Sequence, residues 1–147
     1  MKIKMETTPR GIKNNNPLNI RHNPDFFQGE VRPGTDKEFK QFTSSAYGYR
    51  AAFVTLGTYL ERGKDTIEKI IRAWAPPAEN DTGAYISAVE RTSGVKRDKV
   101  LTANDGEDYV KIVIAMSKVE NGVNANPFAV REGFNLQSKL KSNLFKQ

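Results

Sequence analysis

The sequence predicts a mainly helical α+β domain with about six helices and one small β-hairpin near residues 26–42. Apolar residues recur at spacings of three and four along most of residues 44–144, which is typical of amphipathic helices. Two short β-prone runs, 26–31 and 38–42, lie on either side of a proline- and glycine-containing turn, which is typical of a hairpin. We found no internal repeat or linker in the sequence.

The length and composition are those of a single globular domain. The chain has 147 residues, of which 37% are hydrophobic and 27% charged, enough to bury a real core. We expect a flexible leader over residues 1–9 and one domain over residues 10–147. The sequence contains no apolar run long enough to span a membrane, and no hydrophobic segment after the first lysines that would make a signal peptide.

The charge and residue counts restrict the function. The net charge of +6 favours an anionic partner such as nucleic acid, an acidic membrane surface or the bacterial cell wall. The sequence shows no nucleic-acid recognition motif, so we expect no specific nucleic-acid partner. The sequence has no cysteine and one histidine, which excludes disulfides and argues against a zinc site or a Ser-His triad. We expect no metal or cofactor.

The helices can be placed from their end signals. Ser44 or Ser45 begins the first long helix and Gly63 ends it, and Asp65 has the cap position of a capping box with Glu68 in the second. Asn80 or Asp81 can cap a third helix that ends near Gly94. The fourth starts between residues 102 and 105, and a further helix starts at Asn126-Pro127. Leu136, Leu140 and Leu144 then recur at a spacing of four.

One helix is predicted to end on a partly buried carboxylate. Tyr109, Val113, Met116 and Glu120 are spaced so that all four lie on one face, and Gly122 can close the helix in a left-handed conformation. Burial and the helix dipole both raise the pKa of a carboxyl at this position, which suits a general acid. The alternative is a solvated glutamate on the rim of the helix.

An asparagine-rich segment precedes the hairpin. Residues 10–23, RGIKNNNPLNIRHN, are predicted to form an ordered loop or short turns. Asparagine amides can both donate to and accept from sugar hydroxyl and acetamido groups. Ordinary turn chemistry explains the asparagines equally well, so both interpretations stay open.

Three stretches together resemble a known family. They are RGIKNNNPLNIRHN, the run from SSAYGYRAAF through RAWAPPAENDTGAYISAV, and IAMSKVENG, within residues 10–125. In this order they resemble small phage and prophage virion proteins described as structural or peptidoglycan-degrading, with a lysozyme-like fold. The family's usual tryptophan at the start of the hairpin is replaced here by Phe26 or Phe27.

A second resemblance concerns the glutamate helix. MSKVENGVNANPFAV is similar to the glutamate motif of lytic transglycosylases, but here it comes last in the chain and not early. The resemblance therefore implies a circular permutation of the lysozyme arrangement, which is possible where the termini lie close together.

The resemblance implies cleavage of peptidoglycan glycan strands, with Glu120 as the acid that protonates the leaving oxygen. A second carboxylate on the hairpin, with Glu30 as the first choice, could give hydrolysis. The substrate's own acetamido group could instead assist, giving an anhydro product. Substrate contacts are expected from loop and helix residues: Asn16, Asn19, Arg21, Tyr49, Glu79 and Tyr85.

Trp74, Glu79 and the whole chain each have two possible interpretations. Trp74 could stack on a sugar, although its helical spacing from Ile67 and Ile70 favours the core. Glu79 could line the cleft or lie in a helix-capping segment. The whole chain could be a non-catalytic virion structural or wall-binding module. In either case we expect the protein in a phage virion or at the bacterial cell envelope, with glycan strands and other virion proteins as partners.

Overall fold

A computed structural model describes residues 7–142, which form six α-helices and no regular β-strand. Residues 1–6 of the predicted leader and Leu144 lie outside this range. The mainly helical prediction is confirmed, and none of the described helices is long and apolar enough to cross a membrane. The helices, in chain order, are α1 Arg10–Lys13, α2 Ser45–Glu61, α3 Ile67–Trp74, α4 Thr82–Ser93, α5 Gly106–Asn121 and α6 Pro127–Asn135.

The helix α5 lies in the middle of the core. Its residues Tyr109, Val113 and Met116 are fully buried, as their common face predicts. On one side α5 packs against α4, which in turn packs against α3; on the other side it contacts α6 and α2, which pack together. The last turn of α5 is therefore held from several directions, and this positions the glutamate with which the predicted face ends.

The helix ends follow the predicted capping signals with one exception. Asp81 caps α4 by accepting from the amide of Ala84, and Asn126 caps α6. The prediction that Asp65 caps α3 is wrong, because the hydroxyl of Thr66 accepts from the Lys69 amide instead. Threonine is one of the preferred residues at this position, although aspartate ranks above it.

The predicted hairpin is replaced by two isolated antiparallel bridges, Arg21–Phe39 and Glu30–Phe42. The segment 38–42 divides its backbone hydrogen bonds between two neighbours. Lys40 donates to the carbonyl of Ile20 at 3.0 Å, whereas the Gln41 carbonyl accepts from Val31 at 2.8 Å. Each bridge joins a single pair of residues, so neither pairing extends into a strand.

The spacing of leucines after α6 does not extend the helix within the described residues. α6 ends at Asn135, and residues 136–142 cross over the start of α5. The side chain of Gln137 bonds to both the amide and the carbonyl of Leu140, which is buried. The carbonyl of Lys141 accepts from the amide of Gly106, so this segment ties the first residue of α5 to the end of the described chain.

Candidate active site

Glu120 lies in the last turn of α5, which closes at Gly122 in the left-handed conformation. Its side chain is partly buried, between the apolar face of α5 and a groove on the surface. Both carboxylate oxygens accept a hydrogen bond. Nδ2 of Asn19 donates to Oε1 at 2.9 Å, and the hydroxyl of Tyr85 donates to Oε2 at 2.8 Å. The carboxylate is thus held in one orientation by side chains from two other parts of the chain.

Burial raises the pKa of Glu120 above its ordinary value. The hydrogen bonds from Asn19 and Tyr85, and the positive charge of Arg21, lower the pKa of the same carboxyl and offset the rise in part. The net rise favours a carboxyl that keeps its proton closer to neutral pH. Burial and the nearby carboxylate also raise the pKa of Tyr85 well above the usual range, so its hydroxyl stays protonated and can continue to donate.

Gly11 leaves room for the amide oxygen of Asn19. Asn19 has a left-handed backbone, with φ of +52°. Its Oδ1 and the Oδ1 of Asn121 are both buried, and neither has a hydrogen-bond partner among residues 7–142. A Cβ on Gly11 would lie 2.7 Å from the first of these oxygens and 2.6 Å from the second. The absence of a side chain at residue 11 therefore lets Asn19 turn its NH₂ group towards Glu120.

Glu120 lines a cleft of about 480 Å³. One wall comes from the segment that follows α1, and the other from α2, the end of α3 and the turn after it. The lining residues are Asn19, Ile20, Arg21, His22, Asn23, Asp25, Phe27, Phe39, Thr55, Tyr59, Ala73, Trp74, Ala75, Pro76, Glu79, Asn80 and Glu120. The volume is in the range of ordinary ligand sites.

Aromatic side chains are present on both walls. Trp74 packs with its ring edge-on to Tyr59, with centroids 6.2 Å apart, and both are partly buried against the core. Phe27 and Phe39 face the same cleft from the other wall. Trp74 therefore packs against the core, as its spacing predicts, and also lines the cleft. Aromatic faces of this kind can stack on the apolar face of a sugar ring.

Arg21 and Glu79, two of the residues predicted to contact substrate, line the cleft. Arg21 is exposed and lies over the ring of Phe39, with 5.1 Å between its Cζ and the ring centroid. Its nearest carboxylate partner is Glu38, at 3.5 Å. Glu79 is exposed in the turn that follows α3. Neither side chain is immobilised by burial, so both can adjust to a ligand.

Two of the residues predicted to contact substrate, Asn16 and Tyr49, lie outside the cleft lining. Asn16 is fully buried and bonds to the backbone of Ile20 and Lys40, so it shapes the loop and does not reach the cleft. The hydroxyl of Tyr49 lies 2.9 Å from that of Ser117, which joins α2 to α5 inside the core. Neither residue lines the cleft itself, although Asn16 bonds to Ile20, which does.

Glu30, the predicted second carboxylate, is also outside the cleft lining. Its side chain is buried and bonds to both Arg32 and Lys40. Burial raises the pKa of Glu30, but these two cations more than offset the rise, so its pKa is lowered. The other carboxylates that line the cleft are Asp25 and Glu79, both exposed.

Several cleft residues were missed from sequence. Tyr59 lies on the core-facing pattern of α2, and nothing in its spacing separates a ring that reaches the cleft from one that ends in the core. Phe39 belongs to the second strand of the predicted hairpin, and Asp25 directly precedes the first strand at residue 26. Among residues 7–142, His, Asp and Glu side chains form no group of three that could hold a metal ion.

The comparisons with known proteins concern most of the chain. No protein-family model matches it. Protein P5 of Pseudoalteromonas phage PM2 is 39% identical over 132 residues, which cover 85% of this chain and 79% of that protein. Identity at this level over most of both chains shows common descent, and the predicted relation to phage proteins is confirmed. The chain belongs to the family of phage proteins that includes Protein P5 of phage PM2.

Proposed function

We propose that this protein is a phage enzyme that cleaves the glycan strands of peptidoglycan, with Glu120 as its general acid and base. The single observation that carries the proposal is the environment of that carboxyl. It faces a cleft of about 480 Å³, is held by Asn19 and Tyr85, and has a raised pKa. A carboxyl in a cleft with a pKa shifted towards neutral pH is what protonation of a glycosidic oxygen requires.

The lining of the cleft supports a saccharide as the ligand. Trp74 and Tyr59 offer ring faces on one wall, and Asn19, Asn23 and Asn80 supply amide groups that can bond to hydroxyl and acetamido groups. The net charge of +6 favours approach to an anionic polymer such as the bacterial wall. A virion location and a lysozyme-like or permuted transglycosylase-like fold are part of the proposal, in line with the phage relative.

The reaction that we favour needs one protein carboxylate. Glu120 donates its proton to the glycosidic oxygen, and the bond between that oxygen and C1 of the sugar breaks. The neighbouring acetamido oxygen bonds to C1 as the positive charge develops. The Glu120 carboxylate then takes the proton from the C6 hydroxyl, whose oxygen displaces the acetamido oxygen from C1 and forms the 1,6-anhydro sugar. Attack by water at the same step would give hydrolysis instead.

The single-carboxylate route is favoured because Glu30 is paired with two cations away from the cleft lining. The route with a second carboxylate would have to use Asp25 or Glu79, which line the cleft and are exposed. The two routes leave different products. The anhydro product is lighter than the hydrolysed one by one water molecule.

The test is digestion of purified sacculi, followed by mass spectrometry of the soluble products. We expect muropeptides with anhydro ends from the native protein and none from Glu120→Gln. Glu132→Gln is the matched control, since Glu132 is an exposed glutamate of α6 outside the cleft lining. Cleavage by folded Glu120→Gln at the native rate would overturn the proposal. Loss of cleavage in Asp25→Asn or Glu79→Gln, with hydrolysed products from the native protein, would instead favour the route with two carboxylates.

The alternative is a non-catalytic wall-binding module. The aromatic side chains on both walls and the exposed Arg21 favour saccharide binding whether or not a bond is cut. This alternative predicts that the native protein sediments with sacculi and releases no soluble product. Sedimentation of Glu120→Gln with sacculi is expected under both proposals, so product release alone separates them.

A further inference from the structure

One wall of the cleft is a segment without regular secondary structure. Asn23, Asp25 and Phe27 all line the cleft, and residues 22–29 contain neither helix nor bridge. A segment of this kind has backbone carbonyls that no ladder satisfies, so other groups must bond to them if it is to hold one shape. We refer to residues 23–27 as the cleft wall segment.

Two cations hold the backbone of this segment. Nζ of Lys40 donates to the carbonyl of Asp25 at 2.8 Å and lies 3.4 Å from that of Asn23. Nη2 of Arg32 donates to the same two carbonyls. The ammonium group of Lys40 also lies 5.5 Å from the ring centroid of Phe27. Lys40 and Arg32 therefore contact three of the five residues of the cleft wall segment: Asn23, Asp25 and Phe27.

Glu30 joins the two cations. Its Oε2 accepts from Nε of Arg32 at 2.6 Å, and its Oε1 accepts from Nζ of Lys40 at 3.0 Å. The same Oε1 accepts from the amide of Phe27 at 3.2 Å. The side chains of Glu30 and Lys40 are 1% and 0% exposed, so both charges are enclosed by protein.

Burial of a charged pair is not an efficient source of stability. The desolvation of both ions offsets much of their attraction, and apolar side chains of similar volume are often at least as stabilising. The charged pair instead fixes the position of the backbone, because the ammonium group of Lys40 can bond to the carbonyls of Asn23 and Asp25 and an alkyl chain cannot. Apart from their bond to each other, the side-chain hydrogen bonds of Lys40 and Glu30 go to the cleft wall segment or to Arg32.

We propose that Glu30 and Lys40 are positioning residues that hold the cleft wall segment in the shape that binds the saccharide. They act through the backbone of residues 23–27 and take no part in bond cleavage. The identity of the ligand rests on the proposed function, whereas the support of the segment does not. Glu30 thus has a role at the site other than that of a second catalytic carboxylate.

The test uses the double variant Glu30→Gln/Lys40→Met, which removes both buried charges together and leaves neither unpaired. Binding of a β-1,4-linked N-acetylglucosamine tetramer is followed by the fluorescence of Trp74, the single tryptophan of the chain, which lines the cleft. We expect the Kd for the tetramer and the KM for soluble glycan strands to rise about tenfold or more, with kcat within about twofold of native, since the acid itself is not touched. Amide hydrogen exchange should quicken in residues 23–27 and stay unchanged at the end of α5.

The matched control is Glu107→Gln/Arg131→Met. This pair is likewise a glutamate with a cation; its two hydrogen bonds, at 3.1 and 3.0 Å, join α5 to α6 outside the cleft lining. It should leave Kd and KM at native values even if it lowers the melting temperature. If the Glu30/Lys40 variant does not fold, Arg32→Met carries the test, because this side chain is 38% exposed and its loss leaves the buried pair intact.

Three results would overturn the inference. These are a native Kd in the folded Glu30/Lys40 variant, a loss of kcat without a rise in KM, or native amide exchange in residues 23–27. A native protein that neither binds the tetramer nor cuts sacculi would count against the proposed function. In that case the exchange measurement still decides whether the two residues hold the segment.

Discussion

Nδ2 of Asn19 lies 2.9 Å from Oε1 of Glu120, so residues 101 positions apart in the sequence meet at one carboxylate. Asn19 can only donate at this contact, because NH₂ has no acceptor lone pair available. The hydroxyl of Tyr85, on the other oxygen, can either donate or accept. When Glu120 takes up a proton, the contact with Asn19 therefore favours its placement on Oε2, on the side of Tyr85.

The first prediction concerns Asn19→Gly, which removes the amide without straining a backbone whose φ is +52°. The hydrogen bond from Asn19 lowers the pKa of Glu120, so its loss should raise that pKa further. The alkaline limb of the pH profile of kcat/KM should move to higher pH. The rate should fall by about tenfold or more, the value of one hydrogen bond to a charged group.

Asn15→Gly is the matched control for that variant. Asn15 is also left-handed, with φ of +53°, but its amide bonds to the carbonyl of Phe42 and not to Glu120. It should leave the position of the alkaline limb unchanged. An unshifted limb in Asn19→Gly would show that the amide does not tune the acid.

The second prediction concerns Tyr85→Phe. This change removes the donor to Oε2 of Glu120 and leaves the ring in place, so we expect kcat to fall by about tenfold with the fold intact. Tyr109→Phe is the control, because the buried hydroxyl of Tyr109 has no partner within residues 7–142. That variant should keep native activity and native or higher stability, as measured by thermal unfolding. Equal activity of the two variants would contradict the role of Tyr85.

The third prediction links the acid to stability. The folded pKa of Glu120 is raised, so its contribution to stability is complete below the unfolded pKa and is lost as pH rises through the folded pKa. Glu120→Gln cannot ionise and avoids this loss. Its melting temperature should match the native one at acid pH and exceed it at alkaline pH, where the native carboxyl must lose its proton in a partly buried site. A variant that is less stable than the native protein at alkaline pH would contradict the burial argument.

The fourth prediction concerns Gly11→Ala. The new methyl group would lie 2.7 Å from Oδ1 of Asn19 and 2.9 Å from the carbonyl of Asn16, both closer than contact distance. The amide must move. We expect kcat/KM to fall and the alkaline limb of its pH profile to move to higher pH, as expected for Asn19→Gly. Gly83→Ala is the control, since its Cβ meets nothing closer than 3.9 Å and a helical alanine is favoured over glycine. Native kinetics in Gly11→Ala would show that the contact has no influence on the acid.

The helical part of the fold could be predicted because its signals are local. The face that carries Tyr109, Val113, Met116 and Glu120 follows from a helical period within one segment, and caps such as Asp81 and Asn126 act within three residues. The predicted half-buried position of Glu120 needed only this period and the glycine that ends the helix.

The partners of the acid could not be predicted in the same way. Asn19 reaches Glu120 only after the chain has folded. The room for its amide oxygen depends on Gly11, which no spacing rule connects with either residue. The expected hairpin placed Glu30 at the cleft, whereas the structure has isolated bridges in this region and pairs Glu30 with Arg32 and Lys40. Both outcomes depend on side-chain contacts that form only in the folded chain, which local periods and helix-end signals do not predict.

The crowding around residue 11 also offers a way to sort the relatives of this protein. A homologue with any larger side chain at the aligned position has no room for the two amide oxygens as they stand here, and must set its loop further from the glutamate. Such homologues can be picked out from an alignment alone, and under the proposed function they are the ones to examine first for binding of bacterial walls without cleavage.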